Sequence, residues 1–190
     1  MRGGREVILK AAMQVFAEKS YAGASIREIC KAAGVTKPVL YYHFRSKEHL
    51  YQELLIDIFD DFRKRLLRSA QFRGKIREKL TNYLHSEFQD ALKNPVLTRF
   101  LFRIMFSPTK ETPFFNFIEE FERQRLVIGE FFLEGDKSTR NHRNAQFYAT
   151  MLMGMKLIAI LEHFFTKRPT LTKRNAERYV DFLLRGCADA

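Results

Sequence analysis

Apolar residues recur every three or four positions along most of this chain, and no useful length alternates with a period of two. The first spacing is typical of helices with one buried face, whereas strands would show the second. Glycine, proline and asparagine interrupt the pattern, so the segments between them are counted as separate helices. The sequence therefore predicts an all-α fold of about nine helices.

A pair of short helices joined by a tight turn is predicted in residues 25–47. Ser25 and Glu28 have the spacing of a capping box, in which the serine hydroxyl and the glutamate carboxylate each satisfy a backbone N–H. Gly34 ends the first helix, because a residue without a Cβ adopts the left-handed conformation readily. Thr36 is placed to begin the second helix as its N-cap. Helix, glycine turn and helix together form the helix-turn-helix pattern.

The second of these helices, about residues 37–44, divides its side chains between two faces. Val35, Leu40 and Phe44 share one side, which would pack on neighbouring helices. On the other side, hydroxyl, imidazole and ammonium groups suit phosphate oxygens, and carbon atoms suit thymine methyl groups. A protein contact is the alternative for exposed aromatic residues, but two tyrosines beside a histidine and a lysine favour DNA. The outward residues are Thr36, Lys37, Pro38, Val39, Tyr41, Tyr42 and His43.

At these residues the chain resembles the TetR family of transcriptional regulators. The amino-terminal domain of that family has a first helix, a helix-turn-helix and a fourth helix that follows a tyrosine-rich recognition helix. The corresponding segments here are ILKAAMQVFAEKSYAGAS, IREICKAAGV, TKPVLYYHF and RSKEHLYQELL. The resemblance covers roughly residues 5–55, and beyond them only the helical layout is similar.

The resemblance implies that particular positions contact DNA, although a solvated surface residue is the alternative for each. That alternative is strongest for Arg27 and Val39. The positions similar to those that meet base edges are Lys37, Pro38, Val39 and Tyr42. Five further positions are similar to those that contact phosphate or sugar: Arg27, Thr36, Tyr41, His43 and Lys47. Of these, Arg27 matches a position from which some members reach a base as well.

The charge distribution supports a polyanionic partner. The formal net charge is +11, and residues 1–47 carry nine Lys or Arg against three Glu, which leaves +5 for the other 143 residues. Such a concentration favours nucleic acid. An anionic membrane is the competing partner, but no stretch approaches the roughly 20 continuous apolar residues of a spanning helix. The first residues also lack the apolar core of a signal peptide, so we expect a cytoplasmic protein without a membrane partner.

Helix-breaking residues divide the chain after residue 47 into further predicted helices, and the pattern suggests two domains. We predict a DNA-binding domain of three helices at residues 1–46 and a helical-bundle domain for ligand binding and dimerisation at residues 47–190. Residues 107–113, SPTKETP, form the clearest predicted loop, and Pro113 can open the next helix. The helices of the second domain are predicted at about residues 46–69, 74–93, 96–106, 113–133, 139–166 and 172–187, the first of them reaching back to Ser46.

The last two predicted helices, about residues 139–187, are apolar on more than one side. A helix that is hydrophobic around most of its circumference must be buried on most of it. One interpretation is a central hairpin within a single protomer. The other, which the family resemblance implies, is a four-helix interface between two copies. A two-fold homodimer would match a palindromic DNA operator with half-sites separated by whole helical turns.

Phenylalanine is concentrated beyond residue 55, and most of these side chains belong to the core by their helical spacing. A sensory domain would also need a mainly apolar pocket with a few polar groups. The resemblance implies a small apolar or amphipathic effector that lowers DNA affinity, and a protein partner is the alternative. The two arginines in this set are equally consistent with a solvated face. The candidate ligand-binding residues are Arg99, Phe100, Arg103, Phe106, Phe117, Phe121, Gln146, Tyr148 and His163.

Other chemistries have little support in the sequence. No catalytic motif of the HExxH, GxSxG or phosphate-loop type occurs, so we do not expect an enzyme. A helical enzyme would need a convergent polar cluster in the pocket. The five histidines lack metal-ligand spacing, and Cys30 and Cys187 lack the spacing of a zinc site or a disulfide framework. We therefore expect no cofactor and no metal.

Overall fold

The regular structure of this chain is helical wherever it is described. A computed structural model describes residues 2–72, 74–106, 113, 116–134 and 142–188. Within these ranges there are nine helices and no strand. The predicted all-α fold of about nine helices is therefore confirmed.

The helices follow one another closely along the chain. Their bounds are α1 Arg2–Gly23, α2 Ile26–Ala33, α3 Lys37–His43, α4 Lys47–Ala70, α5 Ile76–Lys93, α6 Pro95–Phe106, α7 Phe117–Leu133, α8 His142–Thr166 and α9 Lys173–Ala188.

Most predicted helix ends lie within a few residues of the observed ones, but the start of α7 was predicted too early. Pro113 is not helical, and α7 begins at Phe117. A proline is compatible with a first helical turn but does not require one, since its fixed φ also suits extended chain. The rest of the predicted loop, residues 107–112, and the predicted break at residues 135–137 lie outside the described residues.

The chain forms two compact units. The first comprises Met1–Asp60 and Asn94–Asn116, and the second comprises Asp61–Lys93 and Phe117–Ala190. The first unit therefore extends beyond the three helices predicted for residues 1–46. It includes most of α4 and also α6, because α6 packs directly on α1. As a division of function, a boundary after residue 46 stays a prediction.

An aromatic cluster forms the centre of the first unit. Phe16 of α1 meets Tyr51 of α4 edge to face, with ring centroids 5.1 Å apart, and stacks on Phe100 of α6 at 6.4 Å. Tyr21 adds a second edge contact to Tyr51 at 5.0 Å. All but Tyr21 are almost fully buried, and each such ring contributes about 1.5–3 kcal/mol through burial. The cluster therefore joins α1, α4 and α6 within this unit.

The second unit is a bundle made by the end of α4 together with α5, α7, α8 and α9. In it α7 packs on α8, and α5 packs on α7, α8 and α9. Arg77 of α5 forms a two-point ion pair with Asp181 of α9, with N···O distances of 2.6 and 2.9 Å. The α8–α9 turn is fixed by Thr170, whose hydroxyl donates to the carbonyl of Ala159 at 2.9 Å. Its core is mainly leucine, phenylalanine and alanine.

Helix α8 leaves apolar side chains exposed within one protomer. Phe147, Met151, Ile158 and Phe165 lie along one side, and Phe165 is 78% exposed. By length and composition alone residues 144–166 would pass as a membrane-spanning helix. Polar residues such as Lys156 and Glu162 interrupt this segment, which is why a count of continuous apolar residues did not single it out. A hairpin buried within a single protomer is also inconsistent with these exposures.

Ser20 interrupts α1 with a backbone conformation that side chains rarely adopt. Its φ of 64° and ψ of 173° fall in a region populated almost only by glycine. The bend ends the regular part of α1 one residue before Tyr21, which contacts the aromatic cluster. A residue held there costs about 1–3 kcal/mol. Strain is therefore stored at the junction between α1 and α2.

We predict that Ser20→Gly stabilises the protein. Relief of the strain at a positive φ outweighs the greater chain entropy of glycine, for a net gain of about 1 kcal/mol in the free energy of unfolding. Denaturant unfolding of both proteins measures the change. Ser20→Ala is the matched control, because it removes the hydroxyl but keeps the Cβ, and should give no such gain. Equal stability of the wild type and Ser20→Gly would show that the bend stores no strain.

Candidate nucleic-acid interface

The capping box predicted at the start of α2 is confirmed. The hydroxyl of Ser25 accepts from the Glu28 backbone N–H at 3.3 Å, and the Glu28 carboxylate accepts from the Ser25 N–H at 3.0 Å. Glu28 is also bound by the ammonium group of Lys19. The bonds from Lys19 and Ser25 lower the pKa of Glu28 to about 2. This carboxylate therefore fixes where α2 begins relative to α1.

The turn between α2 and α3 is formed by Gly34. Its φ of 65° and ψ of 30° are left-handed, and its N–H caps the carbonyls of Cys30 and Lys31. Thr36 then has the extended backbone of an N-cap, but its hydroxyl makes no capping hydrogen bond. The predicted position of Thr36 is thus confirmed, while its side chain is exposed and not used within the helix.

Helix α3 has only seven residues and is held by two side chains. Leu40 and Phe44, which the sequence assigned to the packed side, are almost completely buried. The opposite side extends into solvent, with Tyr42 81% exposed. The remaining exposed residues of the predicted interface are Arg27, Thr36, Lys37, Pro38, Val39 and Tyr41. The structure thus brings a set of aromatic, hydroxyl and basic groups together at one surface of α3 and the start of α2.

His43 is less available than its neighbours. It is half-buried, and its ring lies against Gly4 in the first turn of α1. A Cβ at Gly4 would stand only 3.1 Å from His43 Nε2. Tyr42 contacts the His43 ring edge to face at 5.1 Å. His43 therefore supports both the start of α1 and the most exposed tyrosine of α3.

Lys47 has a structural role that the sequence did not indicate. Its Nζ donates to the carbonyls of Tyr21 at 2.9 Å and Ala24 at 3.0 Å, and lies 4.3 Å from the centre of the Tyr21 ring. Two of its three N–H donors thus hold the carboxyl end of α1. The predicted phosphate contact would use the third donor.

Arg5 is another positioning residue that the sequence analysis missed. It donates to Asp57 at 2.7 Å and to Glu53 at 2.8 Å, both on α4. Hydrogen bonds to Asp57 and then to Glu53 raise the pKa of Arg5 above its ordinary value. The partners are 52 and 48 positions away in sequence, so no helical spacing could have revealed the pair. Arg5 therefore ties the first turn of α1 to α4.

The candidate ligand residues of α6 belong to the first compact unit. Phe100 is buried against Phe16 and Tyr51. Arg99 and Arg103 are exposed, and Phe106 is 67% exposed. Phe100 is thus occupied by packing on α1 and α4, and the two arginines fit the solvated alternative.

The remaining ligand candidates lie on α7 and α8 of the second unit. Phe117 is half-buried and Phe121 exposed, and Tyr148 is buried with its ring 5.6 Å from Phe132. The Gln146 amide lies on the backbone of α7, where Gly129 has no side chain to displace it. His163 Nδ1 lies 2.9 Å from the Arg168 carbonyl.

Gln146 and His163 cannot bind the same small ligand. They stand near opposite ends of α8, about 26 Å apart at the rise of an α-helix. The structure therefore does not gather all of these predicted residues into one pocket, and a ligand contact by any of them stays a prediction.

The described residues include one of the two cysteine side chains and show no metal-binding cluster. Cys30 is a buried free cysteine in α2, and the side chain of Cys187 lies outside the described part of the chain. No group of three His, Cys, Asp or Glu side chains suited to a metal ion occurs among the residues described.

Comparison with known proteins identifies the first helices. Residues 8–54 match the family model described as bacterial regulatory proteins, tetR family. One curated relative is the HTH-type transcriptional repressor KstR2 of Mycolicibacterium smegmatis, 26% identical over 132 residues, which cover 69% of this chain and 64% of KstR2. The match thus spans slightly less than two thirds of that relative's length.

Solved structures share the fold along almost the whole chain. The fatty acid degradation regulator FadR from Bacillus halodurans has a TM-score of 0.80 at 20% identity, with 96% of this chain and 95% of FadR covered. FadR from Bacillus subtilis, in complex with stearoyl-CoA, has a TM-score of 0.76 at 17% identity, with 95% and 98% covered. The helix-turn-helix region of this chain, residues 8–54, therefore belongs to the tetR family of bacterial regulatory proteins, and the chain as a whole shares its fold with the two FadR structures.

Proposed function

We propose that this protein is a transcriptional repressor that binds a palindromic operator as a homodimer and is released by a small-molecule effector. The observation that carries the proposal is the surface of α3. Leu40 and Phe44 bury one side of the helix, while Lys37 and Tyr42 are exposed on the other. This helix lies within the residues that match the tetR family model. The repressor KstR2 supports the sign of regulation.

The chemistry of the exposed residues supports a division of roles on DNA. Side chains with both carbon surface and polar tips suit base edges in the major groove, and isolated charges or hydroxyls suit phosphates. The proposed base-reading residues are Lys37, Pro38, Val39 and Tyr42. The proposed backbone contacts are Arg27, Thr36, Tyr41, His43 and Lys47.

The proposed dimer forms through α8 and α9, in the region predicted at about residues 139–187. The exposed apolar residues of α8 follow a helical spacing that also includes Gly154, and Phe182 of α9 is 76% exposed. A Cβ at Gly154 would meet no atom within 4 Å in the protomer. A glycine in the middle of an apolar surface allows two helix backbones to approach closely. These features fit a second copy packed across Gly154.

The proposed effector is a small apolar or amphipathic molecule. The complex of Bacillus subtilis FadR with stearoyl-CoA supports this class, since that protein shares the fold. Helix α4 carries residues of both compact units in one uninterrupted helix. An effector that moves the end of α4 would therefore act on the helix that Arg5 and Lys47 join to α1. We place the protein in the cytoplasm, where both operator and effector are available.

A protein partner is the second candidate for the regulating signal. It is favoured by exposed apolar residues on α7, where Ile118 is 76% exposed, Phe121 43% and Leu126 52%. Exposed apolar surface of this kind marks protein interaction sites in soluble proteins.

Selection of bound sequences from random DNA tests the proposed function. The purified protein should enrich a palindrome with half-sites about one or more turns of DNA apart, at about 34–36 Å per turn. A mobility-shift titration then measures affinity for the selected site against a scrambled sequence. Enrichment of no sequence, or only of an asymmetric one, would contradict binding as a symmetric repressor.

We predict that Lys47→Met and Tyr42→Ala affect DNA binding differently. Lys47→Met should weaken binding to all sequences and reduce the slope of log affinity against log salt by about 1, because it removes a phosphate contact. It should also lower stability by about 1.5–3 kcal/mol, since charge-assisted bonds to the end of α1 are lost. Tyr42→Ala should change the preferred sequence with little loss of stability, because Tyr42 is exposed.

Salt-dependent binding and denaturant unfolding, measured on the same preparations, separate these effects. Lys37→Ala is a second exposed variant and should behave as Tyr42→Ala does. Uniform loss of affinity across sequences in all three variants would refute the division into backbone and base contacts.

We predict that Gly154→Leu weakens dimer formation without damaging the protomer. Overpacking at a helix crossing costs about 1–3 kcal/mol, so the dimer dissociation constant should rise about 5- to 150-fold. The protomer has room for the side chain and gains helix propensity. Sedimentation equilibrium measures the dimer, with Asn82→Leu on the exposed side of α5 as control. An unchanged dimer in Gly154→Leu would exclude this surface, and binding to lipid vesicles by the wild type would indicate a membrane partner instead.

A further inference from the structure

Three polar side chains meet inside the second compact unit, in the core between α5 and α8. The ammonium group of Lys156 lies 2.8 Å from Glu87 Oε2 and 3.1 Å from the hydroxyl oxygen of Tyr83, and donates to both. Only 14% of the Lys156 side chain and 10% of the Glu87 side chain are exposed. None of the three was a candidate in the sequence analysis. Because burial of polar and charged groups costs free energy unless they are hydrogen-bonded, each of these bonds matters for the stability of the unit.

The protonation states of this triad are set by burial and by the ion pair. Burial raises the pKa of Tyr83 to about 12, against the opposing effect of Lys156, so the phenol keeps its proton near neutral pH. Burial acts to lower the pKa of Lys156, but the charge of Glu87 and the bonds to Glu87 and Tyr83 outweigh it and raise the pKa. Lys156 is therefore charged, and Tyr83 still has a proton to donate.

The triad has more hydrogen-bond donors than the surrounding protein uses. Lys156 has three N–H donors and two partners, and the Tyr83 hydroxyl accepts from Lys156, which leaves its own proton to donate. Among the described residues, neither that proton nor the third N–H has an acceptor. The triad can therefore donate two further hydrogen bonds, from atoms that lie 3.1 Å apart.

The surroundings of these donors are apolar. The Phe131 ring of α7 meets Tyr83 edge to face at 6.1 Å between ring centroids. Leu80 and Leu152, one helical turn from Tyr83 and Lys156, are fully buried members of the same core cluster. A molecule that reaches the two donors must therefore present mainly hydrocarbon or aromatic surface.

We infer that Tyr83 and Lys156 bind the effector through a neutral hydrogen-bond acceptor, a carbonyl oxygen, on an otherwise apolar small molecule. The acceptor is neutral because Glu87 already balances the charge of Lys156, and a carboxylate placed there would face the Glu87 carboxylate at close range in a low dielectric. This inference rests on the proposed function, since it specifies the effector and its site.

The triad also has a direct connection to α4. The same helix that carries Tyr83 and Glu87 carries Asp90, whose carboxylate lies 2.8 Å from Arg65 of α4. A carbonyl compound that shifts α5 therefore acts on the last turns of α4 within this unit. Ligand binding at the triad should accordingly change DNA affinity and not only the stability of the bundle.

Three fragments of similar size and shape test the inference on the full-length protein: acetophenone, ethylbenzene and benzoate. Dissociation constants are measured by NMR titration. The wild type should bind acetophenone about 2- to 10-fold more tightly than ethylbenzene, as expected for a hydrogen bond added to the same apolar contact. Benzoate should bind more weakly than acetophenone. Tyr83→Phe should remove the advantage of acetophenone, and Tyr179→Phe on α9 is the matched tyrosine control that should retain it.

Glu87→Gln should shift the ligand preference from the neutral fragment towards the anionic one. It leaves the charge of Lys156 without its counterion, so benzoate should then bind at least as tightly as acetophenone. If that variant does not fold, the Tyr83→Phe comparison decides alone, because loss of one hydroxyl keeps the shape of the core. Failure of acetophenone to bind the wild type, or an advantage that survives Tyr83→Phe, would overturn the inference.

DNA binding in the same preparations separates this inference from the proposed function. Without a fragment, Tyr179→Phe should bind the selected operator as the wild type does, and acetophenone should weaken operator binding only where Tyr83 is intact. A wild type that selects no palindrome but still prefers acetophenone would refute the repressor function alone. A wild type that binds the operator but shows no fragment preference would refute the carbonyl site alone.

Discussion

The burial of Leu40 and Phe44 is the interaction on which the proposed DNA-binding surface depends. An isolated helix of seven residues is not stable in water, since nucleation is unfavourable and few backbone bonds follow it. These two side chains supply the tertiary packing that keeps α3 helical. The other side of α3 thereby stays open to solvent, and Tyr42 remains exposed for an external partner.

Helix α3, the proposed recognition helix, gains its orientation from contacts that come from distant parts of the chain. Arg5 joins the first turn of α1 to α4, and Lys47 at the start of α4 holds the end of α1. His43 lies against Gly4, so the start of α1 also limits how α3 can move. The aromatic cluster around Phe16 then adds α6 to the same unit. A surface that reads DNA must keep its side chains in a fixed geometry, and these contacts provide it.

In the second unit, two features have no explanation in the stability of a single protomer. The exposed apolar side of α8 leaves hydrophobic area in water, which a partner surface would remove. The ion pair of Lys156 and Glu87 is buried, and such pairs often contribute little net stability because desolvation offsets attraction. An exposed apolar surface and a buried polar cluster are both more readily understood as sites for another molecule, one for a second copy and one for a ligand.

Local sequence patterns are enough to predict the helical fold, the capping box at Ser25, the turn at Gly34 and the two sides of α3, because each depends on residues within a few positions of one another. It could not reveal that Lys47 holds α1, that Arg5 reaches α4, or that α6 joins the first unit. Nor could it separate Phe100, which packs on Phe16, from a ligand contact, or find the triad of Tyr83, Glu87 and Lys156. These points depend on tertiary packing, which brings together groups that lie about 25 to 85 positions apart, and no local periodicity encodes such distances.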